Sequence, residues 1–364
     1  MQEIKKHIFA IIMAGGGGER FWPKSRQAHP KQLLGLFGKR TMIQETVDRI
    51  SRLVPKERII IITTKIQAPL VREQLAGVPP SSVIPEPFGR DTAPCIALAA
   101  ALVMERDPEG IMLVVPSDHV IRDARRLVST LWDACRVAWQ HGCLVTLGIR
   151  PTGPVTGYGY IRRGKRLPYR FRTRFASVRE FTEKPDRARA LRYVRSGKYF
   201  WNSGMFVWKA SVIAEELKAH MPALYRGYLA IRATPEGPIR DRTVRQVYRG
   251  LKRVSIDYGV MEKARDVVVA EADFDWDDAG SWLAFERHFP RGRDGNVVLG
   301  ESIALDTERC IIISDEGIVG CLGLKDLIVV RSKGAVLVCH RDAAQDLKKI
   351  VQRLKSQKRW REHT

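Results

Sequence analysis

Four consecutive glycines, Gly15 to Gly18, follow an apolar run of buried-strand type at Ile8 to Met13, and two cations, Arg20 and Lys31, stand shortly after them. Glycine alone lets several successive backbone N–H groups turn toward one anion without a Cβ in the way, so such a loop makes a concave nest for phosphate. Arg20 adds a planar fork of donors and Lys31 a point charge. The combination suits triphosphate chemistry. Two familiar loops are excluded. A P-loop needs Lys-Ser or Lys-Thr directly after its last glycine, where Glu19 and Arg20 stand here. The dinucleotide fingerprint needs a third glycine three residues after its second, and that place falls on Arg20 or Phe21. A flexible turn between strand and helix is the plainer reading, and the spacing of arginine, proline and lysine after the glycines argues against it.

The elements that must carry this loop are legible as alternating patterns. Arg58–Thr64, Ile111–Val115 and Cys143–Ile149 read as short buried strands, while Ile43, Val47 and Ile50 fall at helical spacing, as do Leu127, Leu131, Ala134 and Ala138. Strand–helix alternation predicts an α/β fold with a doubly wound, mainly parallel sheet, whose ligands bind at the carboxyl ends of the strands. The glycine loop after Met13 and Pro116-Ser117-Asp118-His119 after Val115 both occupy such ends. From about Pro151 to Val269 the pattern is less regular and is expected to form a mixed extension. After Pro290 it changes to short strands separated by turns, closed by an amphipathic helix with Ala343, Leu347, Ile350, Val351 and Leu354 on one face. We therefore divide the chain into a catalytic domain, residues 1–290, and a C-terminal segment, residues 291–364.

Composition narrows the classes. The 364 residues have room for a large core, and no apolar run approaches the ~18 residues of a membrane span. Lys5, Lys6 and His7 before Ile8–Ala14 imitate a signal peptide, but the run is short and leads into the glycine loop, so it reads as the first core strand. Six scattered cysteines without a CxxC pair suit reduced, buried thiols in a cytoplasmic protein rather than disulfides or zinc. The net charge is +22, with arginines and lysines dense at Arg162–Arg174. A basic stripe of this kind serves nucleic-acid binding or forms a solvated hairpin on a protein handling anionic metabolites. The second reading is preferred, because no nucleic-acid motif accompanies the stripe, and Tyr169 and Phe171 alternate with arginine as in an exposed strand.

The ordered set of motifs resembles the sugar-1-phosphate nucleotidylyltransferases. It comprises the glycine loop with Arg20-Phe21 and Pro23, Pro30-Lys31-Gln32, Phe88-Gly89-Arg90-Asp91-Thr92-Ala93-Pro94, Pro116-Ser117-Asp118-His119, Thr156-Gly157-Tyr158-Gly159-Tyr160, Phe181-Thr182-Glu183-Lys184-Pro185, Trp201-Asn202-Ser203-Gly204 and Asp277-Asp278-Ala279-Gly280-Ser281-Trp282. The set spans nearly the whole chain, and Trp22 with the Pro-Ser-Asp-His variant favours the branch acting on mannose and guanine nucleotides. The resemblance implies transfer of GMP from GTP to mannose 1-phosphate. It also implies a Rossmann-like nucleotidyltransferase domain followed by a small left-handed β-helical segment. Longer relatives carry an isomerase domain beyond the point where this chain stops.

What the resemblance implies for single residues follows. Asp118 and Asp278 would hold a magnesium ion, since hard carboxylate oxygens suit it, with Asp275 and Asp277 as near competitors of Asp278. Arg20 and Lys31 would stabilise the leaving pyrophosphate, over a nest formed by Gly15, Gly16 and Gly18. Glu86, Arg90, Asp91 and Thr92 lie on the segment expected to face base or ribose, where an ordinary loop carboxylate would fit as well as a guanine acceptor. Glu183 would accept from sugar hydroxyls and Lys184 would neutralise the sugar phosphate, with Gly157 and Asn202 completing the pocket. His119 is read as structural, and Asp257-Tyr258 as a landmark whose role is as readily packing. Glu19 departs from the small residue usual there, and Asp91 from the usual asparagine. An acid at Glu19 repels phosphate unless it turns to solvent or toward a cation. A different sugar 1-phosphate or base, such as glucose 1-phosphate or UTP, is the same-class alternative; a basic nucleic-acid-binding protein is the distant one. The C-terminal segment is expected to dock its apolar face on the catalytic domain or on a second subunit, which leaves a homodimer open.

Overall fold

The computed structural model describes residues 2–364 and divides into two compact units. Unit one takes the chain up to Gly15, Thr46–Ser117 and Ile121–Trp276; unit two takes Gly16–Glu45, Asp118–Val120 and Asp277–Thr364. The division runs through the glycine loop and through the Pro-Ser-Asp-His segment.

Unit one is built on nine strands: β1 (Ile8–Ala14), β2 (Ile59–Thr64), β3 (Val83–Glu86), β4 (Ile111–Pro116), β5 (Leu144–Ile149), β6 (Tyr160–Arg166), β7 (Phe175–Thr182), β8 (Tyr199–Lys209) and β9 (Val267–Ala272). They form one sheet in the order β3-β2-β1-β4-β8-β5-β9-β7-β6. β3, β2, β1 and β4 run parallel, as do β5 and β9, while β8 enters antiparallel between β4 and β5 with a register shift at Thr146/Gly148. The parallel strands are β-branched and fully buried, with Ile8, Ile11, Ile12 and Ile59–Ile62 all at 0% exposure, as a sheet covered on both faces requires. Helix α1 (Thr92–Arg106) is apolar on nearly every side, so it is buried all round, and its alanines let neighbouring helices approach closely. Helix α2 (Ala124–His141) begins where the Asp123 side chain accepts from the Arg126 amide and ends at Gly142, whose φ of 60° suits glycine. The helices α3 (Ala210–His220), α4 (Pro222–Arg232) and α5 (Pro238–Gly250) follow β8.

The basic stretch departs from expectation in one respect. It forms a hairpin, β6 to β7, but residues 167–174 between the strands are irregular rather than an exposed strand. The aromatic side chains there pack on helix α2 instead, Tyr169 stacked on His141 at 4.5 Å and Phe171 beneath Arg136 at 4.3 Å.

In unit two the strands after Pro290 stack as successive rungs. β10 (Val297–Leu299), β12 (Ile311–Ser314) and β14 (Leu327–Ser332) are parallel neighbours, β11 (Ser302–Leu305) pairs in parallel with β13 (Val319–Leu322), and β15 (Ala335–His340) closes the edge antiparallel. Register places Val297, Ile311 and Ile328 one above another, the repeat of a β-helix. Corners are turned by residues at positive φ, including Asp306, Arg309, Asp326 and Lys333. Cys310, Ile312, Cys321 and Val329 fill the coil. The other side of the same strands, with Ile311, Ile313, Ile328 and Val330, joins one core with Phe21, Trp22, Leu36, Met42, Trp282 and Phe285. Residues just after the glycines and residues of the β-helix therefore share their burial. Ile303, Leu305, Leu322, Val336 and Val338 stay exposed. Helix α6 (Leu347–Ser356) buries Leu347 and Val351.

Candidate functional site

Unit two assembles its cluster around Lys31. The lysine sits in a single 3₁₀ turn, Lys31–Leu33, preceded by Pro30, and is 4% exposed. Its Nζ donates to Asp118 Oδ2 at 3.0 Å and to the Asp278 carbonyl at 2.6 Å, above the Phe21 ring. One ammonium thus joins three segments far apart in the chain. Burial works to raise the Asp118 pKa, but the Lys31 charge, aided by His119 and the Lys31 hydrogen bond, outweighs it and holds the carboxyl below its usual range. Gly18, at φ 61°, packs on Lys31 so closely that a Cβ there would lie 2.6 Å from the lysine's own Cβ and amide nitrogen. Glycine is required at that position by contact as well as by conformation. The loop is further held by Gln32 Nε2 donating to the Gly16 carbonyl at 3.0 Å and by Ser25 Oγ donating to the Gly18 carbonyl at 2.7 Å. Arg20 projects into solvent from the turn Glu19–Phe21. Glu19 turns to a cation: Lys355 of α6 donates to its Oε1 at 2.5 Å. A residue of the C-terminal helix therefore neutralises the acid beside the glycine loop.

The three neighbouring aspartates separate by environment. Asp277 is consumed structurally: it accepts from Arg287 Nε at 2.6 Å and Nη2 at 2.8 Å, is hydrogen-bonded to His288 Nε2 at 2.8 Å, and accepts from the Ala279 amide at 2.8 Å. Burial opposes its charge, but His288 and Arg287 dominate and hold it far below the usual carboxylate range. Asp275 belongs to unit one, where it is exposed and 3.8 Å from Arg122. Asp278 accepts from the Gly280 amide at 3.2 Å, and the turn between them places Ala279 at a φ of 46°, a left-handed conformation costly for alanine.

Unit one holds two carboxylate pockets. At the end of β3, Glu86 is 5% exposed and lies 2.8 Å from Tyr248 Oη, which donates to the Pro94 carbonyl at 3.0 Å. Burial pushes the Glu86 carboxyl up to about 7; the Tyr248 hydrogen bond opposes this and Asp91 adds to it. The other Glu86 oxygen would sit 3.4 Å from a Cβ on Gly15. Arg90 turns inward to the chain, Nε donating to the Tyr248 carbonyl at 3.0 Å. Asp91, at a φ of 72°, caps α1 by accepting from the Thr92 amide, and Thr92 Oγ1 accepts from the Ile256 amide at 2.9 Å.

In the second pocket, Lys184 Nζ donates to Glu183 Oε1 at 2.7 Å, while Glu183 Oε2 is buried with no hydrogen-bond partner among the described residues. Asn202 donates to Asp257 Oδ1 at 2.7 Å and accepts from Thr146 Oγ1 and the Gly204 amide. Burial raises both Glu183 and Asp257; the Glu183 charge adds to the rise of Asp257, Glu262 and Asp91 add to that of Glu183, and Lys184 opposes both. A Cβ on Gly159 would collide with Glu183 Oε2, so this glycine leaves the space into which the orphaned oxygen faces. Gly157 meets nothing within 4 Å. Sequence reasoning set Asp257 aside and missed Tyr248, Gly159 and Glu262, whose Oε1 accepts from the Glu183 amide at 2.8 Å. The Gly-Tyr-Gly-Tyr motif was a signal for Gly159. Nothing local marks Tyr248, which lies 162 positions from Glu86.

Comparison with known proteins agrees in extent and order. Residues 9–293 match the family model described as nucleotidyl transferase, and residues 300–354 match a MannoseP isomerase/GMP-like beta-helix domain. A mannose-1-phosphate guanylyltransferase of Klebsiella pneumoniae is 42% identical over 97% of this chain and 75% of its own length. One from Escherichia coli (strain K12) is 38% identical over 96% of this chain and 74% of its own. A solved structure from Thermus thermophilus, named a mannose-1-phosphate geranyltransferase, superposes with a TM-score of 0.86 at 38% identity, covering 96% of this chain and 99% of that one.

Proposed function

The chain belongs to the nucleotidyl transferase family, among the mannose-1-phosphate guanylyltransferases, and from that premise we propose that it transfers GMP from GTP to mannose 1-phosphate, releasing pyrophosphate and forming GDP-mannose. The observation that carries the reading is the Lys31 ammonium, buried between the Asp118 carboxylate and the Asp278 carbonyl and covered by Gly18.

A sugar phosphate is largely ionised at neutral pH, so its oxygen attacks the α-phosphorus of GTP without a general base, and catalysis reduces to positioning and charge stabilisation. Gly15, Gly16 and Gly18 supply the nest for the phosphates. Arg20, free of structural duty and exposed, carries its charge to the developing pyrophosphate, and Lys31 sets the charge and position of Asp118. The Glu86 pocket takes the base; Arg90, Asp91 and Thr92 hold that segment in place through their contacts to Tyr248 and Ile256. Glu183 Oε2 accepts from a sugar hydroxyl, which satisfies the orphaned atom, and Lys184 faces the sugar phosphate. Asn202, saturated by Asp257 and Thr146, positions this wall, and Gly157 leaves its mouth open.

The donor set also fits magnesium. Asp118 is held ionised and Asp278 is the aspartate not consumed by Arg287 and His288, so these two are the residues that would hold the ion. When bound, magnesium would neutralise charge on the reacting phosphates. The six cysteines are free of one another and five of them are buried, which fits a cytoplasmic setting, and among the described residues no helix is long and apolar enough to cross a membrane.

The test is a turnover assay with GTP, UTP and ATP against mannose 1-phosphate and glucose 1-phosphate. We expect GDP-mannose as the preferred product by kcat/KM; a preference for UTP or glucose 1-phosphate would overturn the assignment of base or sugar.

A further inference from the structure

Unit one contains a cavity of about 690 Å³ that none of the residues assigned above lines. Its walls come from the first turns of α2, the segment after β5, residues 172–174 of the basic hairpin, the start of β8 and the segment after β9. Phe200 and Trp201 line it and the adjacent Asn202 does not.

Three features give the cavity its chemistry. Its acids are already paired: Asp273 with Arg126 at 2.8 Å, Asp275 with Arg122 at 3.8 Å and Glu271 with Arg163 at 3.7 Å. Its other guanidiniums are not. Arg150, Arg172 and Arg174 form no ion pair and no side-chain hydrogen bond among the described residues, although all three line the cavity. Two of them are held there by the backbone. The Thr173 amide between them donates to the buried Asp133 at 3.0 Å, and the Arg174 carbonyl accepts from the Glu271 amide at 2.9 Å. The third feature is aromatic. Trp201 and Trp276 both line the space and are fixed edge-on against Tyr158, with ring centroids at 5.1 and 5.3 Å.

We propose that this cavity is a second binding site, for a nucleoside phosphate: the phosphates on the Arg150, Arg172 and Arg174 forks and the base against the tryptophan wall. Three unpaired planar guanidiniums in the lining of one cavity suit phosphate oxygens, which they engage through paired donors. Aromatic side chains in the lining suit a planar ring, and the volume lies in the range of sites for ligands of this size. The hairpin that gives the chain much of its positive charge thereby gains a ligand.

The test compares the full chain with an Arg172→Ser/Arg174→Ser double variant, by calorimetric titration with GDP at low salt. Both side chains are exposed, so the variant is expected to keep the circular dichroism spectrum and the transferase turnover of the wild type. The wild type should bind one more equivalent of GDP per chain than the variant, with that site weakened by about tenfold or more for each guanidinium removed. The difference between the two proteins carries the result, so it stands or falls separately from the transferase reading. Equal stoichiometry and affinity in both would overturn the proposal. Pyrophosphate filling the extra site as tightly as GDP would overturn its nucleoside part, and guanosine doing so would overturn its phosphate part.

Discussion

Replacing Glu86 by glutamine should flatten the dependence of stability on pH, and the geometry gives the size of the effect. The Tyr248 hydroxyl has one proton and two oxygen neighbours, Glu86 Oε1 at 2.8 Å and the Pro94 carbonyl at 3.0 Å. A carbonyl only accepts. The Tyr248 proton supports an ionised Glu86 and so opposes the rise, but a buried carboxylate loses its hydration, and that cost is the larger effect. Burial accordingly lifts the carboxyl from its ordinary 4.5 to about 7. Between those values the native chain holds a proton that the unfolded chain has released. The stability associated with the neutral acid is therefore complete below pH 4.5, falls as pH rises, and is gone above about 7. At 1.36 kcal/mol per pH unit, the loss amounts to about 3 kcal/mol. In Glu86→Gln the side-chain amide would donate to Tyr248 as the neutral acid does, and it does not titrate. Urea unfolding of both proteins at pH 5 and pH 8 isolates the effect as a difference of differences: the wild type should lose roughly 2–3 kcal/mol more than the variant across that range. Parallel losses would show that Glu86 is ionised in the native state and would refute the burial reasoning.

Among the aspartates, Asp118→Asn and Asp278→Asn should each lower kcat by orders of magnitude, Asp278→Asn at unchanged Tm and Asp118→Asn at a lowered one because the buried Lys31 ammonium loses its counter-charge, whereas Asp277→Asn should cost about 1.5–3 kcal/mol of stability through its lost charged hydrogen bonds; paired kcat and Tm measurements decide, and full activity in either of the first two removes that residue from the metal site. Arg20→Ala should lose roughly 3 kcal/mol of transition-state stabilisation, read as a fall in kcat, and weaker GTP binding at unchanged kcat would make it a ground-state contact. Lys355→Gln leaves the Glu19 charge unpaired beside the glycine loop, so the KM for GTP should rise by the few-fold that a half-exposed pair is worth, about 0.5–1 kcal/mol, and Glu19→Gln in the same background should restore it. Deleting residues 291–364 strips the shared core from Phe21, Trp22 and Leu36, so turnover should be lost along with solubility; a soluble truncated chain of full activity would contradict that sharing.

Much of the fold was readable because buried strands announce themselves. The β-branched runs at Ile8, Ile59, Ile111 and Leu144 became strands within a residue or two of the expected ends, since a sheet covered on both faces accepts little else. The stretch 167–174 was misread because arginine–aromatic alternation has the period of a strand, while the local partners His141 and Arg136 lie elsewhere in the chain. The site divides the same way. The glycines, Arg20, Lys31, Asp118 and Asp278 stood out by residue type and order. Which of the three aspartates near Trp276 is consumed structurally did not, because that depends on Arg287 and His288 closing on Asp277.

By itself, then, the sequence determined the family, the positions of the strand-end loops and the identities of the charged residues upon them, because glycine freedom, charge and hydrophobic period are local properties of the chain. Tertiary structure alone decided how those residues are disposed. It buried Lys31 against Asp118, turned Glu19 to Lys355, buried Glu86 beside Tyr248 and so raised its pKa, and seated the segment after the glycines on the core of the β-helix. Each of these depends on groups tens or hundreds of residues apart, and pKa, orphaned polar atoms and shared burial have no value until folding has removed the water between them.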